Sequence, residues 1–160
     1  MGGNLLTSDE AIVGRLTEHT DVRDGTAHVK KLRVTYDFAV LGGVISAITL
    51  GGFADKIPDN ATVLGGIIDV LTTLTTAGGD AGTIAISVES ADDVVAAIAV
   101  SNGANPWDEG LQDVIPVRTK ATSFKLTAER SIVATIAGQV VTAGKFEVTL
   151  EYVEERAAAL

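Results

Sequence analysis

The sequence predicts an all-β domain: an antiparallel β-sandwich, of jelly-roll type, carrying an extended N-terminal arm. Three observations lead there. Thr, Val and Ile number 18, 19 and 12, or 49 of 160 residues, and β-branched side chains favour the pleated, half-buried surface of a sheet. Seventeen glycines stand against three prolines, a balance of tight turns rather than of disorder. Short segments of apolar/polar alternation recur along the chain with turn signals between them, giving about eight strands. A two-layer sandwich buries such strands on one face each.

Taken in order, residues 1–30 mix charges with isolated apolar residues and show no period-2 pattern. They read as an N-terminal arm, either mobile or docked on a neighbour. Residues 8–16 can form a short helix, with Ser8 as N-cap and Ala11, Ile12 and Leu16 on one side. The β-sandwich domain is expected over 31–153, with a C-terminal tail over 154–160. Alternation starts at Lys31: Leu32, Val34, Tyr36, Phe38 and Val40 point one way, and Lys31, Arg33, Thr35, Asp37 and Ala39 the other. Gly42-Gly43 turns the chain, and residues 44–50 read as the hairpin partner of that strand.

Residues 57–61 form a Pro-containing loop. Residues 62–76 make a long strand with Ile68, Val70, Thr72 and Leu74 on one side and Ile67, Asp69, Leu71 and Thr73 on the other. Apolar residues on both sides imply that both faces are covered. A single sandwich leaves one face wet, so Ile67, Asp69, Leu71 and Thr73 are candidate contacts to a neighbouring subunit. Thr83 to Glu89 gives another strand. Ser90-Ala91-Asp92-Asp93 has cap-like spacing ahead of 94–100, which fits one or two helical turns better than a strand. A loop over 102–110 holds the single tryptophan, Trp107. Residues 114–117 suit a short edge strand, because Pro116 cannot donate to a ladder. Phe124, Leu126 and Ala128 alternate in another strand, and residues 132–136 form the next. Gly138-Gln139 and 142–145 read as turns. The closing strand points Phe146, Val148, Leu150 and Tyr152 inward. No repeat of solenoid or propeller length recurs along the chain, which argues against those folds.

Composition also excludes chemistry. There are no cysteines, and both histidines, His19 and His28, precede the first clean alternation at Lys31. A disulfide framework, a thiol nucleophile, a cysteine zinc site and a Ser-His-Asp triad within the domain are all ruled out. A net charge of −9 argues against nucleic acid as a partner, since phosphate binding needs clustered Lys and Arg. Thr, Asp or Gly breaks every apolar run well short of a spanning length, so no membrane span is expected. No basic leader precedes an apolar run at the N-terminus.

Remaining candidates are few. Asp108, Glu109 and Asp113, with Asp92 and Asp93 upstream, offer oxygen ligands for Ca²⁺, but the EF-hand spacing is absent and a solvated acidic loop explains them better. Paired carboxylates for glycoside hydrolysis lack an aromatic cleft among seven aromatics. Trp107 lies outside any alternation. It is read first as a plug closing one end of the core, and second as an interface or sugar-stacking anchor. The glycine pairs at 42–43, 51–52, 65–66 and 78–79 match no phosphate-loop spacing and read as turns or close strand approaches. No catalytic, cofactor-binding or metal-binding residue is assigned, and no enzymatic activity is expected.

One resemblance stands beside this reading. Tyr36-Asp37-Phe38 is followed by Gly42-Gly43, then by 57–61, the Val/Thr strand ending at 72–76, and 80–85. Pro106-Trp107-Asp108-Glu109-Gly110 and 141–145 lead into the last strand. Over about residues 33–153, this order resembles the small capsid decoration (cement) proteins of tailed bacteriophages. The resemblance rests on turn and packing patterns and does not extend to the N-terminal arm. It implies a structural virion protein without catalytic residues, sitting as an oligomer, often a trimer, on the outside of an icosahedral head. Its partners would be the major capsid protein and further copies of itself, on the outer capsid surface of the virion, after assembly in the host cytoplasm. A second hypothesis is a carbohydrate-binding β-sandwich built on Trp107 and its acidic loop, and a third is a carboxylate hydrolase.

Overall fold

A computed structural model describes residues 28–104 and 106–154; of the arm expected over 1–30 only His28 to Lys30 are among these, Val29 and Lys30 as the start of the first strand, and the helix at 8–16 and the tail beyond Glu154 lie outside them. Nine strands follow one another: β1 (Val29–Asp37), β2 (Ala47–Thr49), β3 (Thr62–Thr76), β4 (Thr83–Ser87), β5 (Val95–Ala99), β6 (Gly110–Val117), β7 (Phe124–Lys125), β8 (Val133–Ala137) and β9 (Val141–Val153). They form two sheets, one ordered β1-β9-β3-β6 with β7 beside β3, the other β2-β8-β4-β5. All pairings are antiparallel.

Apart from the short β7, the pairing has a simple logic. The first of the remaining strands pairs with the last, the second with the second from last, the third with the third from last, and the two middle strands with each other. That is one long hairpin rolled around a common core, the jelly roll. The expected fold class is what the chain adopts.

Inward rows from both sheets fill the centre. Val34 and Tyr36 of β1, Ile68, Val70 and Leu74 of β3, and Phe146, Val148 and Leu150 of β9 face Ile84 and Ile86 of β4 and Ala134 and Ile136 of β8, all buried. Each fully buried aliphatic side chain stabilises by about 1.5–3 kcal/mol. Tyr36 stacks on Phe146 with ring centroids 5.0 Å apart, and its hydroxyl donates to the Gly42 carbonyl at 2.7 Å.

Loops gather at two ends. One end holds the β1–β2, β3–β4, β5–β6 and β8–β9 connections. The other holds the β2–β3 and β4–β5 connections, residues 118–132, and both ends of the described chain, where Val29 pairs with Val153. At the first end, Ala77–Asp80 is a tight turn in which Gly78 and Gly79 take φ 67 and 75, a backbone that disfavours a Cβ. Thr76, buried, accepts there from the Gly82 N–H at 2.9 Å.

Several local expectations fail, each for a traceable reason. The strand starting at Lys31 stops at Asp37, whose carboxylate accepts from the Ala39 N–H at 3.0 Å and caps a single helical turn, α1 (Phe38–Leu41). Val40 is therefore 78% exposed instead of buried. Residues 44–50 are not the hairpin partner of β1. β9 takes that edge along the whole of β1, and β2 crosses to the second sheet, against β8. Residues 94–100 are not helical. The Asp93 carboxylate accepts from the N–H groups of Val88, Glu89 and Ser90, each at 2.8 Å, and closes the β4–β5 connection. Residues 142–145 do not turn either. β9 runs through them, with Gly144 at φ 123 pressed against Leu74. The strand read at 124–128 is only β7, although Leu126 beyond it is buried.

Candidate interaction surfaces

The outer face of the first sheet is divided. Along β1 and β9, outward positions carry opposite charges across the ladder, directly opposite for Lys31–Glu151 and Asp37–Lys145 and diagonal for Arg33–Glu147. Lys31 meets Glu151 at 3.1 Å, Arg33 meets Glu147 at 2.7 Å, and Asp37 meets Lys145 at 3.1 Å. Arg118 joins Glu151 from the end of β6. Hydrogen bonds from Lys31 and then Arg118 hold the Glu151 carboxyl below the ordinary glutamate value, and Lys145 does the same for Asp37. Cross-strand pairs of this kind give a solvated surface modest support.

Along β3 and β6 the same face turns apolar. Ile67 and Leu71 of β3 lie beside Leu111, Ile115 and Val117 of β6, all exposed, with Leu111 at 66%. Asp69 faces Leu111 across the ladder, and Ile67 faces Asp113. Ile67, Asp69 and Leu71 thus share one face. Thr73 lies at its end, where its Oγ1 accepts from the Glu109 N–H at 3.1 Å. β6 is the edge strand of its sheet, and Pro116 lies in the stretch of it where the register against β3 shifts, between the Gly65–Val117 and Ile67–Asp113 pairs. A row of large aliphatics along a sheet edge is the kind of surface that folded proteins cover or blunt.

Trp107 belongs elsewhere. It is 1% exposed and packs on Phe146 with centroids 5.4 Å apart, and its carbonyl accepts from the Leu74 N–H at 2.9 Å. The ring closes the core, so it cannot serve as an exposed interface anchor or a sugar-stacking platform. Its Nε1 has no acceptor among the described residues.

The acidic residues do not converge. No group of three or more His, Cys, Asp or Glu could hold a metal ion among the described residues. Asp93 is committed to backbone N–H groups. Glu89 accepts from the Thr127 hydroxyl and the Arg130 guanidinium, which together hold its carboxyl below the usual range.

Two apolar features escape the alternation argument. At the end holding the β1–β2 and β8–β9 connections, Val40, Leu41, Val44, Ile45 and Val140 are all exposed. The two connections are tied by the Val141 N–H donating to the Gly43 carbonyl at 2.9 Å. At the opposite end, Phe53 is 93% exposed, with the Lys56 ammonium 4.5 Å from its ring centroid. A sequence signal exists for the first. Residues 38–54 and 131–144 hold no charge, in a chain that is 21% charged. None of the four strands of the second sheet carries a charged residue either, and its outward positions are Ala, Thr, Ser and Val.

No protein-family model matches the chain, and no curated protein matches it. Solved structures do. The fold is that of chains in two bacteriophage capsid structures. One is from the capsid asymmetric unit of cyanophage Pam1, with TM-score 0.55 and 19% identity over 83% of this chain and 89% of that one. The other is from the acidic stable capsid of Helicobacter pylori bacteriophage KHP30, with TM-score 0.54 and 10% identity over 80% of this chain and 90% of that one. At such identities the likeness establishes a shared fold.

Proposed function

We propose that this chain is a structural virion protein that decorates and stabilises the outside of an icosahedral phage capsid as an oligomer, a trimer. Its partners are the major capsid protein and other copies of itself, on the outer surface of the virion, after folding in the host cytoplasm. It has no catalytic role in this reading. The observation that carries it is the uncovered apolar half-face of β3 and β6 on a jelly roll of the kind found in phage capsid structures. A small domain with a satisfied core and a surplus aliphatic surface fits a component completed by assembly.

Ile67, Asp69, Leu71 and Thr73 belong to the subunit interface in this reading. Phe53 and the point where the arm of residues 1–30 joins β1 share the opposite end of the sandwich, which we assign to the shell. A lone exposed aromatic is an effective anchor in a partner's pocket. Purified protein mixed with heads stripped of it should co-sediment and saturate at a fixed number of copies per head. If no head-bound protein is found at any concentration, the proposal is wrong.

A further inference from the structure

We propose that copies of this chain join head to tail, the aliphatic cluster of Val40, Leu41, Val44, Ile45 and Val140 on one copy seating against the β3–β6 half-face of the next. The inference rests on the proposed function only for the number of copies in the ring.

The two surfaces sit on opposite flanks. β6 is the last strand of the first sheet, and β1, which leads into the Val40 loop, is the first. The ion-paired stripe runs along β1 and β9, and the cluster sits on the connections at the end of those two strands. The two are different surfaces of one chain. A contact between two unlike patches of the same chain is heterologous and closes into a ring when its rotation allows. A trimer requires this arrangement, because a self-matched patch produces only pairs.

Size supports the match. From their exposures, each cluster leaves about two and a half aliphatic side chains in water, on the order of 400 Å² of apolar surface. That is about half of the ~800 Å² per partner that a specific interface buries, close to the apolar share such interfaces carry. The uncharged outward row of β2 and β8 continues from the Val40 side and supplies further area.

Charge chooses between the possible pairings. The chain carries −9, so any contact between copies works against repulsion. The β3–β6 face contains Asp69 and Asp113 among its aliphatics. Paired with itself across a two-fold axis, it would bring carboxylates together. Paired with the other cluster it meets none from that cluster's own segments, since residues 38–54 and 131–144 are uncharged.

The absence of cysteine in the chain makes the test direct. The full-length variants Ile115→Cys and Val44→Cys place single thiols on the two flanks, both at exposed positions that leave the core intact. Each is treated with a short bismaleimide, alone and in an equimolar mixture, and a double variant is treated alone. The head-to-tail joint predicts no covalent dimer from either single variant. On a denaturing gel, the mixture should give a product of twice the mass of the 16.5 kDa chain, and the double variant a product of three times that mass. A covalent dimer from one single variant alone would show a self-matched interface and overturn the proposal, as would a mixture and a double variant that give no intermolecular product. Because no heads are present, a failed joint leaves the capsid reading to its own test, and a confirmed joint does not rescue it.

Discussion

Replacing Trp107 by Ala and by Phe separates two physical effects that the buried ring combines. The indole is 1% exposed, and a buried tryptophan removes about 200 Å² from water. At about 25 cal/mol per Å², that is an upper limit near 5 kcal/mol. Truncation to Ala leaves a hole beside Phe146 and should cost about 3–5 kcal/mol, a large part of the stability of a domain this size. Phe is different. It gives up roughly 50 Å², about 1 kcal/mol, and also removes the Nε1–H, which has no acceptor among the described residues. Relief of a buried unpaired donor is worth about 1–3 kcal/mol. With the two effects opposed, Trp107→Phe should lie between the parent's stability and about 2 kcal/mol above it. Urea unfolding followed by far-ultraviolet circular dichroism measures both, with midpoints compared at unchanged slope. The reasoning is refuted if the Ala variant loses less than about 1 kcal/mol, or if the Phe variant is as unstable as the Ala variant.

Other outcomes follow from the same contacts. Glu89, Glu151 and Asp37 are held below their ordinary pKa values, so their contribution is complete above the glutamate value of 4.5 and lost as pH falls through the lower folded values; Glu151→Gln should flatten the acid side of a melting-temperature profile. Burial pushes Tyr36 from 10.0 up to about 12, so its contribution is complete below pH 10 and lost as pH rises from there to about 12. Tyr36→Phe should flatten that alkaline fall. A Cβ at Gly66 would be driven into the backbone carbonyl oxygen of Thr149, so Gly66→Ala should destabilise by about 1–3 kcal/mol in urea unfolding. Phe53→Ser should leave the melting temperature unchanged and weaken head binding at least tenfold in co-sedimentation.

Much of the fold is legible because both long strands bury one face. β3 spans the residues its alternation marks, and β9 points Phe146, Val148, Leu150 and Tyr152 inward as expected. What escapes is decided by competition at a distance. Nothing in residues 44–50 reveals that β9 displaces them from the edge of β1, because the deciding contacts come from the far end of the chain. Asp37 reads as an outward strand position and Asp93 as part of a helix cap, yet Asp37 starts a helical turn and Asp93 closes a strand connection. Of the candidate interface residues, Ile67 and Asp69 share a face because β3 keeps its period up to Val70, and Leu71 joins them where the register shifts and leaves Thr72 exposed instead of inward, whereas Trp107 sits in a loop whose inward path no periodicity encodes. The cluster around Val44 leaves only a negative trace, the long charge-free stretches on either side of the β2–β8 pairing.

Stabilisation of the shell is best tested on the shell itself. DNA-filled heads lacking the protein are heated alone and with the purified chain added to saturation, and the temperature of genome release is followed with a DNA-binding dye. Release should move several degrees higher with the chain bound, and Phe53→Ser should need more protein for the same shift. Heads that bind the chain but release DNA at an unchanged temperature would contradict a stabilising role.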